Sequence, residues 1–387
     1  MSGIDRTLTE AAAAGRTPGF VAAVWRDGQP MYHGAFGTRA LDAPAPMTED
    51  TVFWLASMTK AVTSVAAMQL VEEGRLALDA PLGNLLPDLA DVQVLEGFDD
   101  AGQPRLRPPA APITLRRLLT HTSGFGYDMW SERLGRYMQA TGTPSLGSGL
   151  KAALRLPLLF DPGTDWEYGI STDWVGLAVE AASGQSLAEW CSARIFAPLE
   201  MGSTGFVPTP DTASRQAGLA LRTPDGGMVP FQLPMAPEPE FMGGGGGLSG
   251  TAGDYLRFLQ MLLDEGNSAG GRVLQPQTVT EMRRSQLGDI SIRHLTTTAP
   301  FLTHDLDMND GRPVDWGLGF MLHPQGGAHG RRPGSLSWAG LANTYYWIDP
   351  VERLCAVIMT QLLPFSDPDC RALYAAFERA VYAEIDS

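Results

Sequence analysis

The chain has 28 basic residues, of which only Lys60 and Lys151 are lysines; the other 26 are arginines. A lysine kept in such company marks a place where arginine cannot serve. Proton acceptance is one, because a guanidinium stays charged while a buried amine can lose its proton. Lys60 stands three residues after Ser57 in Phe53-Trp54-Leu55-Ala56-Ser57-Met58-Thr59-Lys60. If a helix begins at or just before Ser57, positions i and i+3 share a face and the amine reaches the hydroxyl. A serine in a first helical turn also gains from free backbone N–H groups and the positive end of the dipole, which stabilise an alkoxide and the oxyanion of a carbonyl under attack. The pair reads as nucleophile and base; the alternative is a helix-capping serine beside a surface lysine.

Two other serines compete for the role. Ser148-Gly149-Leu150-Lys151 repeats the spacing, but it follows the loop-like stretch 143–147 and its helix could run only to Pro157. Gly266-Asn267-Ser268-Ala269-Gly270 matches G-x-S-x-G. That motif needs a strand before the serine and a helix after it, whereas here an apparent helix over residues 255–263 precedes it, so a surface turn is expected.

An amine that is charged in water near neutral pH needs a second group with which to share its proton. Tyrosine suits this, since its hydroxyl both donates and accepts. Tyr168, in Trp166-Glu167-Tyr168, precedes a helix start at Ser171-Thr172-Asp173 and a helix running toward Gly184. An ordinary half-buried tyrosine is the competing reading. His121, just after a probable helix, is expected to serve structural hydrogen bonding. His304 with Asp305 and Asp307, and His323 with His329, lack the helical H-E-x-x-H spacing of a metal site. No metal and no cofactor are expected. The run Gly243–Gly247 lacks a following Walker lysine and reads as a flexible connector into a helix near Gly253.

The elements that must position these residues show periodicity at both ends. A helix over about 5–14 is followed by apolar strands at 20–25 and 31–36 around the turn Arg26-Asp27-Gly28. Near the carboxyl end, strands at 344–348 and 354–360 flank Asp349-Pro350 and lead into a helix over about 367–385. The Ala-rich stretch 61–74 reads as a buried helix closed by Gly74. The expected architecture is α/β of the α+β type. One antiparallel sheet built from residues 1–60 and 300–387 is flanked by helices; 61–299 form a largely helical inserted domain with long loops, and the active site lies between the two.

Composition bounds the partners. The 387 residues are 44% hydrophobic with a formal net charge of −15, and no basic run is present. This argues against nucleic acid or an anionic membrane surface as the main partner and reads as a solvated acidic surface. Cys191, Cys355 and Cys370 have no C-x-x-C spacing and read as inert core thiols. The amino terminus lacks the pattern of a secretory signal and no apolar stretch reaches 18 residues, so a cytoplasmic location is expected.

Phe53–Lys60, Asp79-Ala80-Pro81, Ile113–Gly124, Trp166-Glu167-Tyr168, Gly246–Tyr255 and Trp316-Gly317-Leu318-Gly319-Phe320 occur in order along nearly the whole chain. This combination resembles the serine β-lactamase and penicillin-binding-protein (transpeptidase-like) family, in particular the esterases related to class C β-lactamases, called family VIII carboxylesterases. The resemblance implies that Ser57 is acylated, that Lys60 and Tyr168 handle its proton, and that the backbone N–H groups of Ser57 and Leu341 form the oxyanion hole. It also implies that a strand beginning near Leu336 borders the cleft. Where β-lactamases carry Lys-Thr-Gly there, this chain has Trp338-Ala339-Gly340, and where they carry Tyr-x-Asn it has Tyr168-Gly169-Ile170. Losing the lysine removes a charge-assisted bond to a substrate carboxylate, while tryptophan adds an apolar wall suited to a neutral ester. The expected enzyme is a serine carboxylesterase preferring short acyl groups, with Trp338, Gly340, Tyr127 and Trp130 in the substrate pocket. The alternatives are an acyltransferase of the same fold and a β-lactamase or D-amino-acid peptidase.

Overall fold

The computed structural model describes residues 2–43, 45–309 and 311–387. Its centre is a seven-stranded, wholly antiparallel sheet of β1 (Gly19–Arg26), β2 (Gln29–Gly37), β3 (Asp315–Trp316), β4 (Met321–His323), β5 (Ser335–Gly340), β6 (Thr344–Asp349) and β7 (Leu354–Met359). The strands lie side by side in the order β3-β4-β5-β6-β7-β1-β2. The two terminal hairpins thus meet in one sheet, with Val21 opposite Met359 and Arg26 opposite Leu354.

Strands β6 and β7 are buried at every position, which is why they read as continuous apolar runs rather than alternating ones. Side chains still alternate between faces. Phe20, Ala22, Val24, Trp347, Ala356 and Ile358 face a core made with the two terminal helices, α1 (Gly3–Ala13) and α5 (Pro368–Ile385). Those helices contribute Ile4 and Leu8, and Leu373, Phe377 and Val381, spaced by four residues so that each set forms one stripe. Ser2 caps α1 by accepting from the Asp5 N–H at 3.1 Å, and Asp367 caps α5 through the N–H groups of Asp369 and Cys370, both at 3.0 Å.

The opposite face, with Val21, Ala23, Tyr346, Val357 and Met359, joins the larger core. It is covered by α4 (Ala252–Leu263), which packs on β1 and β7. That helix comes from within residues 61–299, so the stretch expected as an inserted helical domain also supplies one layer of the sheet domain. Beyond it lies α2 (Thr59–Glu72), buried from Thr59 through Leu70, with α3 (Ser171–Ser183) packed against it. A helix buried on all sides belongs at the centre of a molecule. Gly74, at φ +68°, follows its end, a backbone state that glycine adopts without strain. The three cysteines are buried and unpaired, and burial pushes their thiols up. No helix among the described residues is long and apolar enough to cross a membrane.

Candidate active site

Ser57 lies in a short 3-10 turn, Ala56–Met58, that runs without a break into α2. Ala56 has φ +46°, an uncommon conformation for a residue with a Cβ and one found at functional turns held by their surroundings. One such support is the end of β5. A Cβ on Gly340 would stand 2.3 Å from both the Leu55 carbonyl and the Thr344 hydroxyl, so a bare glycine lets the strand close on the serine turn. Leu341 follows directly. Gly340, expected in the substrate pocket, is thus placed against protein backbone.

Lys60, in the first turn of α2, is 1% exposed. Its Nζ has three neighbours: the Ser57 Oγ at 3.1 Å, the Tyr127 hydroxyl at 3.1 Å and the Gly245 carbonyl at 2.7 Å. A neutral amine has two N–H bonds and one lone pair. The carbonyl can only accept, so it takes one N–H; with the second directed to the Tyr127 oxygen, the lone pair is left for the serine proton. Burial pulls the Lys60 pKa down to about 7, against the upward push of Asp173. Tyr127, expected to line the pocket, therefore touches Lys60 itself.

Tyr168 sits across from the pair, its ring 4.7 Å beneath the Lys60 Nζ. The loop that carries it is tied down where the Glu167 N–H meets the His121 carbonyl at 2.9 Å. Burial raises the phenol pKa, while the Ser57 hydroxyl and the Trp338 ring N–H draw it back. The Trp338 Nε1 donates to the Tyr168 hydroxyl at 3.0 Å. Trp338 is 8% exposed and packs edge-on against Trp316, with centroids 4.6 Å apart. It is therefore a buried polar partner as well as an apolar surface. Trp130 rests on Tyr168 at 5.7 Å. His121, at φ +57°, serves through its backbone carbonyl, while its ring lies 4.7 Å from that of Tyr168. Burial, with Lys60 adding to it, holds the imidazole well below its usual pKa.

The run Gly243–Gly247 departs from the expected flexible connector. Thr63 and Lys60 of α2 donate to the carbonyls of Gly244 and Gly245, at 2.8 and 2.7 Å, and the Trp54 ring N–H donates to that of Gly246 at 2.7 Å. Asp173 of α3 accepts from the Gly245 N–H at 2.9 Å. The glycines are needed for closeness: a Cβ on Gly244 would lie 2.7 Å from the Thr172 carbonyl, and one on Gly245 would lie 2.6 Å from the Asp173 carboxylate. These contacts join segments far apart in the chain, and the only local signal was the low-complexity run itself.

The competing serines lie elsewhere. The Ser148 hydroxyl accepts from the Leu150 N–H, and Lys151 is exposed. Ser268 sits in a two-stranded turn and donates to the Gly271 carbonyl at 2.8 Å. Among the described residues no cluster of three His, Cys, Asp or Glu side chains could hold a metal ion.

Comparisons with known proteins identify the family and the fold. The sequence pattern of the Beta-lactamase family matches residues 4–380. Monacolin J acid methylbutanoyltransferase of Aspergillus terreus is 36% identical over 372 residues, covering 91% of this chain and 88% of the relative. Lovastatin esterase of Penicillium rubens is 33% identical over 397 residues, covering 98% of each. The solved structure of simvastatin synthase (LovD) from Aspergillus terreus superimposes with a TM-score of 0.85 at 33% identity, covering 99% of both chains.

Proposed function

The chain belongs to the Beta-lactamase family, and from that premise we propose that it is a serine carboxylesterase working through an acyl-enzyme on Ser57. The observation that carries this reading is the contact of a buried, weakly basic Lys60 with Ser57 at 3.1 Å. Lys60, with Tyr168, takes the serine proton as Oγ attacks the ester carbonyl. The backbone N–H groups of Ser57 and Leu341 hold the developing oxyanion. As the intermediate collapses, the C–O bond to the alcohol breaks and Tyr168 delivers a proton to the leaving oxygen. Water then attacks the acyl-enzyme by the same proton path in reverse. Trp338 at the cleft, in place of a lysine, favours neutral esters of short acyl groups over anionic β-lactams.

A second reading, transfer of the acyl group to an alcohol instead of water, is supported by the methylbutanoyltransferase named above, at 36% identity. The chemistry on Ser57 is common to both readings and only the acceptor differs. The test is the mass of the denatured protein after brief exposure to p-nitrophenyl acetate, with the adduct located by peptide mapping. One acetyl group on Ser57, absent from Ser57→Ala, is expected. Adding alcohols of graded size and counting ester against acid among the products then separates transfer from hydrolysis. An adduct at another serine would refute the assignment.

A further inference from the structure

Asp173 is a buried carboxylate that the proton path above does not use. It is 1% exposed. Its Oδ1 accepts from the Gly245 N–H at 2.9 Å, and its Oδ2, also buried, has no hydrogen-bond partner. A carboxylate half-satisfied in the interior is costly unless an opposite charge faces it. The groups around Lys60 are Ser57, Tyr127, Tyr168, His121 and Asp173. Among these described residues Asp173 is the carboxylate: burial pushes its pKa up, while Lys60 and the Gly245 N–H pull it back toward the charged form; Asp128 acts on Tyr127.

The link to the base is geometric. Gly245 places its carbonyl 2.7 Å from the Lys60 Nζ and its N–H on Asp173, while the missing Cβ leaves room for the carboxylate to rest on bare backbone. We propose that Asp173 is the positioning residue of the lysine base: it fixes the Gly245 peptide whose carbonyl accepts one Lys60 N–H, and it supplies the counter-charge that lets the amine hold a proton between the two halves of the reaction. Burial alone would hold the Lys60 pKa lower still, and Asp173 opposes it. Such an amine both accepts the serine proton and returns it.

The inference rests on Ser57 and Lys60 being nucleophile and base, and the experiment separates the two. The pH profile of kcat/KM for p-nitrophenyl acetate is measured on the whole protein, on Asp173→Asn and on Asp173→Ala, with Tm recorded for each. Asparagine keeps an oxygen for the Gly245 N–H and removes only the charge. Loss of that charge lowers the lysine pKa, so the acid limb moves to lower pH, by about one unit; a weaker base lowers the plateau kcat about tenfold, with KM within about twofold. Asp173→Ala also frees Gly245 and loses more kcat; if it does not fold, the asparagine variant decides. A residue needed only for packing would lower Tm and leave the limb in place. An unmoved limb in Asp173→Asn, or one moved upward, overturns the inference. Acetylation of Ser57 in the parent protein together with an unmoved limb would sink this inference alone, whereas no acetylation of Ser57 would sink the reading it rests on.

Discussion

Trp338 donates its ring N–H to the hydroxyl of Tyr168 at 3.0 Å, so the residue that the resemblance sets in place of a β-lactamase lysine is bonded to the phenol beside the proposed nucleophile, Ser57. Trp338→Phe keeps the apolar surface and removes the donor. The phenol pKa then rises further and proton delivery slows. A loss of about tenfold in kcat with KM nearly unchanged is expected, from the loss of one hydrogen bond of about 1–1.5 kcal/mol. Steady-state kinetics on a neutral aryl acetate checks it, and equal kcat values would remove the bond from the mechanism.

Trp338→Lys addresses specificity. It restores a cation for a substrate carboxylate but leaves Tyr168 with a different partner. The ratio of kcat/KM for a chromogenic cephalosporin over that for a butyrate ester should rise, with ester turnover falling. Parent protein that already cleaves the cephalosporin as fast as the ester would show that the strand has been misread.

Lys60→Arg should be almost as damaging as Lys60→Ala, a loss of at least about a hundredfold in kcat, because arginine keeps the charge but cannot release the proton. Lys151→Arg should be nearly silent. Near-parental rates for Lys60→Arg would end its role as base.

Tyr127 and Tyr168 can be ranked against each other. Tyr168→Phe removes the group that returns the proton to the leaving oxygen and should cost about a hundredfold or more in kcat. Tyr127→Phe removes one acceptor of a Lys60 N–H and should cost less, about three- to thirtyfold. The reverse order, measured on the same ester, would assign the proton transfer to Tyr127.

The acid limb of the kcat/KM profile follows from Lys60. Its pKa is held near 7 by burial, so below that pH the amine is protonated and cannot accept from Ser57. Activity should fall tenfold per unit as pH drops through the limb and level off above it. A limb near pH 4 would point to a carboxylate base instead.

The parts of this site that could be read from the chain are those in which chemistry and geometry are local. Ser57 and Lys60 lie one helical turn apart, so their contact follows from spacing. The terminal hairpins and helices were legible because each carries its own turn or cap. Tyr127 was placed in the pocket because an aromatic side chain suggests a wall, while its bond to Lys60 crosses between distant segments. The grip of Asp173 on Gly245, and the packing of α4 on β1 and β7, are likewise tertiary. They override the flexibility that a glycine run suggests and the boundary that a helical composition suggests. Leu341 was reached by resemblance, since nothing in its own neighbourhood marks it.

The pairing of β1 with β7 has a consequence for how the chain comes into being. Val21 waits for Met359. At ordinary translation speeds the interval between their synthesis is roughly tens of seconds. Until then the β1 hairpin has an open edge and apolar residues on both faces, a template for wrong pairing. The last contacts to be made are among the longest in sequence, which slows folding. Loss of the strand after Arg353 would not trim a margin; it would leave the centre of the sheet unfinished.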